Sequence, residues 1–345
     1  MKLFEPYRLK SLELKNRIVM PPMCMYQATQ DGFPTLFHIC HYGARAIGGA
    51  GLIIVESTAV LPRGRISDRD LGIWDASHAK ELRQLTDACH QYGAKTALQI
   101  SHAGRKSRLA EGRCLAPSAV PYEGDSRAPE AMTAEQIKEA EAAFGAAARR
   151  ADDAGFDALE IHAAHGYLLH EFLSPLTNLR TDGYGGSLEH RTRFLRETLG
   201  EVRKNWPEEK PVLLRVSARD CYGCEDSTTE TMEVIRSVKP LVDLVHVSSG
   251  GLLPSESKDD PAFQIDMSAR IRRAFGLPTV AVGLFSDEKV AEDILREGKA
   301  DLVVLGRELL CNPYWPMEVA NRRGVAGYVP QAYRRAFPPF RDSRA

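Results

Sequence analysis

Eight short runs of Val, Ile, Leu and Ala recur along the chain, and their spacing limits the fold more than any other feature. They lie at Arg17–Pro21, Gly51–Glu56, Lys95–Ser101, Ala158–His162, Pro211–Ser217, Leu241–Ser248, Pro278–Val282 and Asp301–Leu305. Most are continuously apolar rather than alternating, which is the pattern of strands buried on both faces of a parallel sheet. Helical patterns fill the intervals, among them Ser77–Tyr92, Thr133–Ala154, Ser187–Asn205, Ser286–Glu297 and Asn312–Asn321. Thr133 with Gln136 has capping-box spacing, and Gly93, Gly155 and Gly298 supply left-handed helix stops. Eight strand–helix repeats without a break in composition predict an α/β chain forming a single (β/α)8 TIM barrel over residues 1–345, with the active site at its C-terminal face. A doubly wound parallel sheet is the alternative. The 345 residues fit one barrel, since barrels run from about 200 to above 400 residues.

The 45 basic and 46 acidic residues nearly cancel to a formal charge of −1, so no global field draws this chain to nucleic acid or an acidic membrane. No apolar run approaches the roughly 18 residues of a membrane span, and the first residues lack a signal-peptide core, so a cytoplasmic protein is expected. Seven scattered cysteines do not read as a disulfide framework, and reduced thiols are expected. Cys221 and Cys224 form a lone C-x-x-C with no second pair to complete a metal site, and read as incidental loop residues.

Barrel active sites are assembled just past the last apolar residue of each strand. There the sequence places Pro21-Pro22-Met23-Cys24, Glu56 to Ala59, Gln99, His162 with His165 and Tyr167, Arg215, Ser248-Ser249-Gly250-Gly251, Gly283, and Gly306-Arg307. Gly283, Gly306 and Arg307 suggest a phosphate site after strands seven and eight, where exposed N–H groups and a guanidinium meet an anion. His162-Ala-Ala-His165-Gly-Tyr167 offers two imidazole donors for a carbonyl oxygen and a phenolic proton nearby. A metal site recruiting His170 and Glu171 and a purely structural histidine pair are the competing readings. Arg215 suits an anionic ring edge, and Gln99 can donate to and accept from the same heterocycle. Cys24 either faces a redox cofactor or fills space. The interval Gly104–Met132 is a long excursion after the third strand, either a lid or an ordered surface insertion.

These residues carry a resemblance. The segments LFEPYRLKSLELKNRIVMPPMCMY, GGAGLIIVESTAV, QISHAGRK, GFDALEIHAAHGYLLHEFLSPLTNLRTDGYGGSLEHRTRFLRE, LLRVS, HVSSGG and VVLGRELLCNPYWP resemble the Old Yellow Enzyme family, within it the bacterial, thermophilic-like ene-reductase branch of NADPH dehydrogenase and xenobiotic reductase type. The resemblance implies a barrel holding FMN at its C-terminal mouth, reduced by NADPH or NADH. It implies flavin contacts from Pro21, Pro22, Met23, Cys24, Ala59, Gln99, Arg215, Ser249 and Gly250, with the phosphate at Gly283, Gly306 and Arg307. His162 and His165 would bind the substrate oxygen, Tyr26 and Tyr167 would line the cavity, and Tyr167 would donate the proton. Ala332-Tyr333-Arg334-Arg335 resembles a segment that reaches a neighbouring subunit's site, with Arg335 in register, although Phe337 stands where Trp is common. A homodimer or homotetramer with residues 325–345 at the interface is therefore expected. The chain stops at Ala345 with no iron–sulfur cysteines downstream, and a stand-alone reductase is expected.

The leading reading is a ping-pong cycle in which nicotinamide delivers hydride to flavin N5 and an electron-poor alkene, such as an enone, then takes it at its β-carbon. Nitro compounds and quinones are further acceptors. The alternatives are a metal-dependent hydrolase or lyase using His162 and His165, and a flavin-based redox sensor built on Cys24.

Overall fold

In a computed structural model, the chain is described over residues 1–337 except 110–113, 124–126, 222, 225, 255–260 and 284–286. Eight parallel strands close into a barrel: β1 (Ile18–Met20), β2 (Leu52–Ala59), β3 (Lys95–Ser101), β4 (Ala158–Ala163), β5 (Val212–Ser217), β6 (Leu244–Ser248), β7 (Thr279–Ala281) and β8 (Leu302–Val304). Each strand pairs with its neighbours in sequence, and β8 returns to β1 through Val303↔Ile18 and Val304↔Val19. The barrel alternative is thus realised over the doubly wound sheet.

The period-2 alternation of strand side chains divides the buried residues into two clusters. Ile53, Val55, Leu98, Ile100, Leu159 and Ile161 face the surrounding helices. Val19, Leu52, Ile54, Ala97, Ala158, Leu213, Leu244, Val280 and Leu302 fill the barrel interior, with Leu12 and Leu14 of an N-terminal hairpin packed against them. Continuing the inward parity toward the strand ends gives Gln99 after Ala97, Glu160 and His162 after Ala158, Arg215 after Leu213, and His246 and Ser248 after Leu244. Polar residues gather in the interior at this end, and that is what makes the mouth chemically distinct.

Thr133 caps the helix Ala134–Asp153 through Gln136, as its spacing predicts. Two helices differ from expectation. Ser286 lies outside the described residues, and the helix runs Glu288–Arg296 with Asp287 as its cap, accepting from the Lys289 N–H at 2.7 Å. The stretch 312–321 does not begin a helix at Asn312: a short helix Arg307–Cys311 ends there and another spans Trp315–Arg322. Pro313 explains the break, because it forces Asn312 into extended backbone (φ −131°, ψ 91°).

The seven-thiol expectation is corrected at one pair. Cys221 and Cys224 are joined in a disulfide in the loop after β5, with Cα atoms 5.3 Å apart. The Cys224 N–H donates to the Cys221 carbonyl at 3.1 Å, and this tight turn folds the i, i+3 side chains together, a local closure that whole-chain cysteine counting does not see. Cys24, Cys40, Cys89, Cys114 and Cys311 are free. Among the described residues, no helix is long and apolar enough to cross a membrane.

Candidate active site

The chain leaves β4 through a turn in which His165 and Gly166 both adopt positive φ, +58° and +70°. Such backbone is strained for a histidine and persists only where the surroundings impose it. The His165 N–H donates to Ser217 Oγ at 2.9 Å and the Gly166 N–H to His170 Nδ1 at 2.9 Å. His170 Nε2 in turn meets Asp220 Oδ1 at 3.1 Å, and Ser174 donates to the same carboxylate. A Cβ on Gly166 would lie 2.5 Å from the Gly251 carbonyl oxygen, so only glycine lets the loop after β6 seat against this turn.

The turn brings His165 Nδ1 to 3.4 Å from His162 Nε2, with the rings nearly perpendicular. His162 Nδ1 accepts the Ala164 N–H at 3.3 Å, which places its proton on Nε2. His165 Nε2 lies 2.8 Å from Ser248 Oγ. When the serine hydroxyl donates there, Nδ1 carries the His165 proton. Two N–H groups then converge on one point, the arrangement that binds a single carbonyl oxygen. Burial, with Arg215 adding to it, holds both imidazoles well below their usual pKa, so both are neutral donors. Tyr167 meets His162 edge-on at 4.8 Å, and burial raises its phenol well above the ordinary value, so it carries its proton at neutral pH.

Two predictions follow from this geometry. Ser248→Ala removes the hydroxyl that selects the His165 tautomer; steady-state kinetics should show kcat/KM for an enone falling by about tenfold, the worth of one hydrogen bond of about 1.4 kcal/mol, with flavin content retained. Because both folded-state imidazoles titrate below the unfolded value near 6.5, the pH profile of kcat/KM should show no inflection between pH 6 and 7. The same depression means that their contribution to stability is full above about pH 6.5 and is lost as pH falls toward the folded pKa values. His102, lowered to about 3 by burial and by Arg63, adds to this trend. Melting temperature measured against pH should therefore decline steadily below 6.5.

Beneath the pair lies a buried polar cluster. Glu160 and His246 are both fully buried and meet at 2.6 Å, and Gln99 Nε2 donates to the other Glu160 oxygen at 2.8 Å. Burial pushes Glu160 up, but His246, Arg215 and Gln99 together outweigh it and hold the carboxyl below its usual range. Arg215 pairs in register with His162 and His246, is 9% exposed, and leaves its Nε without a hydrogen-bond partner. It opens into a cleft of about 520 Å³ lined also by Pro21, Pro22, Met23, Gly283, Gly306 and Arg307. Seven of the residues expected at a flavin therefore share one cleft.

The other expected contacts sit around this cleft. Cys24 follows Met23, and burial, with Glu56 next, raises its thiol well above the ordinary range. A β-bulge in β2 between Val55 and Thr58 surrounds Glu56, whose carboxylate accepts the Met25 N–H at 2.8 Å and the Tyr42 hydroxyl at 3.1 Å. That grip holds the loop carrying Cys24 and Tyr26, the latter at φ +55°. Ala59 ends β2 and is buried, while Gln99 faces Glu160. Ser249 accepts from Gln264 Nε2 at 2.8 Å, and the Gly250 carbonyl accepts from Ser217 Oγ at 2.8 Å; neither lines the cleft. Tyr26 and Tyr167 line a second cavity of about 770 Å³, walled largely by the 104–132 excursion. Within that excursion Leu115–Ala116 pairs with Glu130–Ala131, so it includes an ordered insertion. Arg335 lies exposed on the 3-10 turn Gln331–Ala336 and lines neither of these two cavities.

The residues that the metal reading recruits are engaged elsewhere: His170 with Gly166 and Asp220, and Glu171 with the Arg105 N–H at 2.8 Å. Among the described residues, no three His, Cys, Asp or Glu side chains are grouped to hold a metal ion. Sequence reasoning placed Glu56 and Ser248 at the mouth without giving either a role, and missed Glu160, His246 and Asp220 as functional supports. Strand parity could have found Glu160, His246 and the role of Ser248, since all three continue the inward face of β4 and β6.

The profile of the NADH:flavin oxidoreductase / NADH oxidase family matches residues 2–325. The chain belongs to this family. An NADPH dehydrogenase of Clostridium acetobutylicum is 51% identical over 338 residues, covering 98% of this chain and 100% of that one. An old yellow enzyme homologue from Zymomonas mobilis superposes with a TM-score of 0.81 at 29% identity, covering 93% of each chain. A 2-naphthoyl-CoA reductase superposes with a TM-score of 0.87 at 26% identity; this chain covers 52% of it and so spans about half its length. The protein is an NAD(P)H-dependent flavin oxidoreductase of the Old Yellow Enzyme type, with FMN as its cofactor. The residues present fit that group: the unpartnered Nε of buried Arg215 offers a donor to an anionic ring edge, and Arg307 with two glycines offers a phosphate cradle.

Proposed function

We propose that this flavin oxidoreductase is an ene-reductase acting on electron-poor alkenes such as enones, with nitro compounds and quinones as further acceptors. FMN, when bound, supplies the hydride that passes from NAD(P)H to the alkene β-carbon. Pro21 to Cys24, Ala59, Gln99 and Arg215 hold the ring, Ser249 and Gly250 support its edge, and Gly283, Gly306 and Arg307 take the phosphate. His162 Nε2–H and His165 Nδ1–H donate to the substrate oxygen as negative charge grows there, and Tyr167 gives its phenolic proton to the α-carbon. Tyr26 closes the opposite wall, and Arg335 reaches a neighbouring subunit's cavity in a homodimer or homotetramer.

The observation that carries this reading is the 3.4 Å convergence of two neutral imidazole nitrogens beside Tyr167 and in register with Arg215. The test is anaerobic: NADPH or NADH should bleach the yellow enzyme, and 2-cyclohexenone should restore the colour rapidly. Colour that returns only on admitting oxygen would overturn the alkene assignment.

A further inference from the structure

The cavity beside Tyr167 is unusually cationic for the mouth of a nearly neutral protein. Among the described residues, five lining side chains are basic against two carboxylates, Glu123 and Glu130. Some of these cations have structural duties: Arg105 donates to the carbonyls of Val120, Pro121 and Leu252, and Arg63 pairs with Glu139 at 2.5 Å. Lys106 and Arg108 differ. Lys106 Nζ is fixed on the cavity wall by the carbonyls of His165 and Gly251, each at 3.0 Å, with the Tyr122 and Tyr167 rings at 4.4 and 5.4 Å. Among the described residues no carboxylate pairs with it, and none pairs with Arg108, which is exposed into the same cavity. Burial lowers the Lys106 pKa to about 8, with Glu171 and Glu123 opposing and Arg105 and Arg108 reinforcing the shift. A desolvated ammonium with two uncharged acceptors and a rigid seat gains most from an anionic oxygen brought by a ligand.

We propose that Lys106 and Arg108 form an anion subsite that binds a carboxylate or phosphate on the reactant occupying this cavity. This rests on the ene-reductase reading and names the substrate class within it: alkenes, or a hydride donor, bearing an anionic group on the side of the cavity away from the flavin cleft. A charge-assisted contact of this kind is worth about tenfold or more in kcat/KM.

The FMN-loaded enzyme and its Arg108→Ala variant are assayed at low ionic strength with trans-4-oxopent-2-enoate and its methyl ester, one anionic and one neutral, so that the change in their ratio between the two proteins cancels the difference in alkene reactivity; in parallel the flavin is reduced with NADPH and with NADH, which differ by a phosphate. Arg108→Ala, an exposed position that endangers no core packing, should lower the acid-to-ester ratio of kcat/KM by about tenfold relative to the unaltered enzyme. If the NADPH-to-NADH ratio collapses in Arg108→Ala instead, the subsite stands and its anion belongs to the donor. If Arg108→Ala moves neither ratio, the subsite is overturned. Should neither alkene turn over at all, the ene-reductase reading fails on its own, and the donor ratio alone decides the subsite.

Discussion

Replacing His162 with alanine should lower enone kcat/KM by about 100- to 1000-fold, the loss typical of one preorganised oxyanion donor. The size follows from the geometry. His162 is 3% exposed, its Nδ1 is tied to the Ala164 N–H, and its Nε2–H therefore points only at the shared acceptor position. Water that fills the alanine cavity hydrogen-bonds the oxygen but without a fixed direction. His165→Ala should fall in the same range, and the double variant should lose less than the product of the single losses, because the two nitrogens lie 3.4 Å apart and serve one oxygen. Stopped-flow reoxidation by 2-cyclohexenone reads the effect. The variant keeps Arg215, Gly283, Gly306 and Arg307 in the flavin cleft, so the purified protein should remain yellow, and an unchanged reoxidation rate in both single variants would remove the donor assignment.

The second large effect concerns cofactor retention. Arg215→Met should weaken FMN binding by about 10- to 150-fold, the worth of a charge-assisted hydrogen bond of roughly 1.5–3 kcal/mol, and much of the purified protein should be colourless. The guanidinium faces the cleft with an unpartnered Nε, while Glu160 keeps His246 at 2.6 Å after the substitution, so the buried carboxylate is not left unpaired. Fluorescence titration of FMN into the apoprotein measures the change. A near-native circular-dichroism spectrum and melting curve separate it from unfolding, and wild-type affinity in a folded Arg215→Met would show that this side chain does not hold the ring.

The eight strands were legible because each is a continuous apolar run, and the C-terminal polar residues because they interrupt those runs at one end. Arg215 and Gln99 stand out for this reason, as do His162 and Tyr167 in their short motif. Ser248 was passed over in favour of Ser249 and Gly250, since a strand's last residue and its successors look alike in sequence, and only the inward parity of β6 shows which hydroxyl reaches His165. Glu56 was placed at the mouth but given no role; its grip on the Met25 N–H depends on a bulge that no local pattern marks. The loop after β5 misled twice: the Cys221–Cys224 pair closes locally, which counting cysteines along the whole chain does not reveal, and the Asp220 contact to His170 joins loops of different strands, which leaves no periodic signature.

The central claim is that one substrate oxygen is held by both imidazoles above the flavin site. A crystal structure of the oxidised, FMN-loaded enzyme with a bound enone or nitroalkene tests it directly. The ligand oxygen should lie about 2.7–3.2 Å from both His162 Nε2 and His165 Nδ1, with the Tyr167 hydroxyl over the alkene. An oxygen bound at any other place in the cavity, with either imidazole turned away from it, would contradict the account.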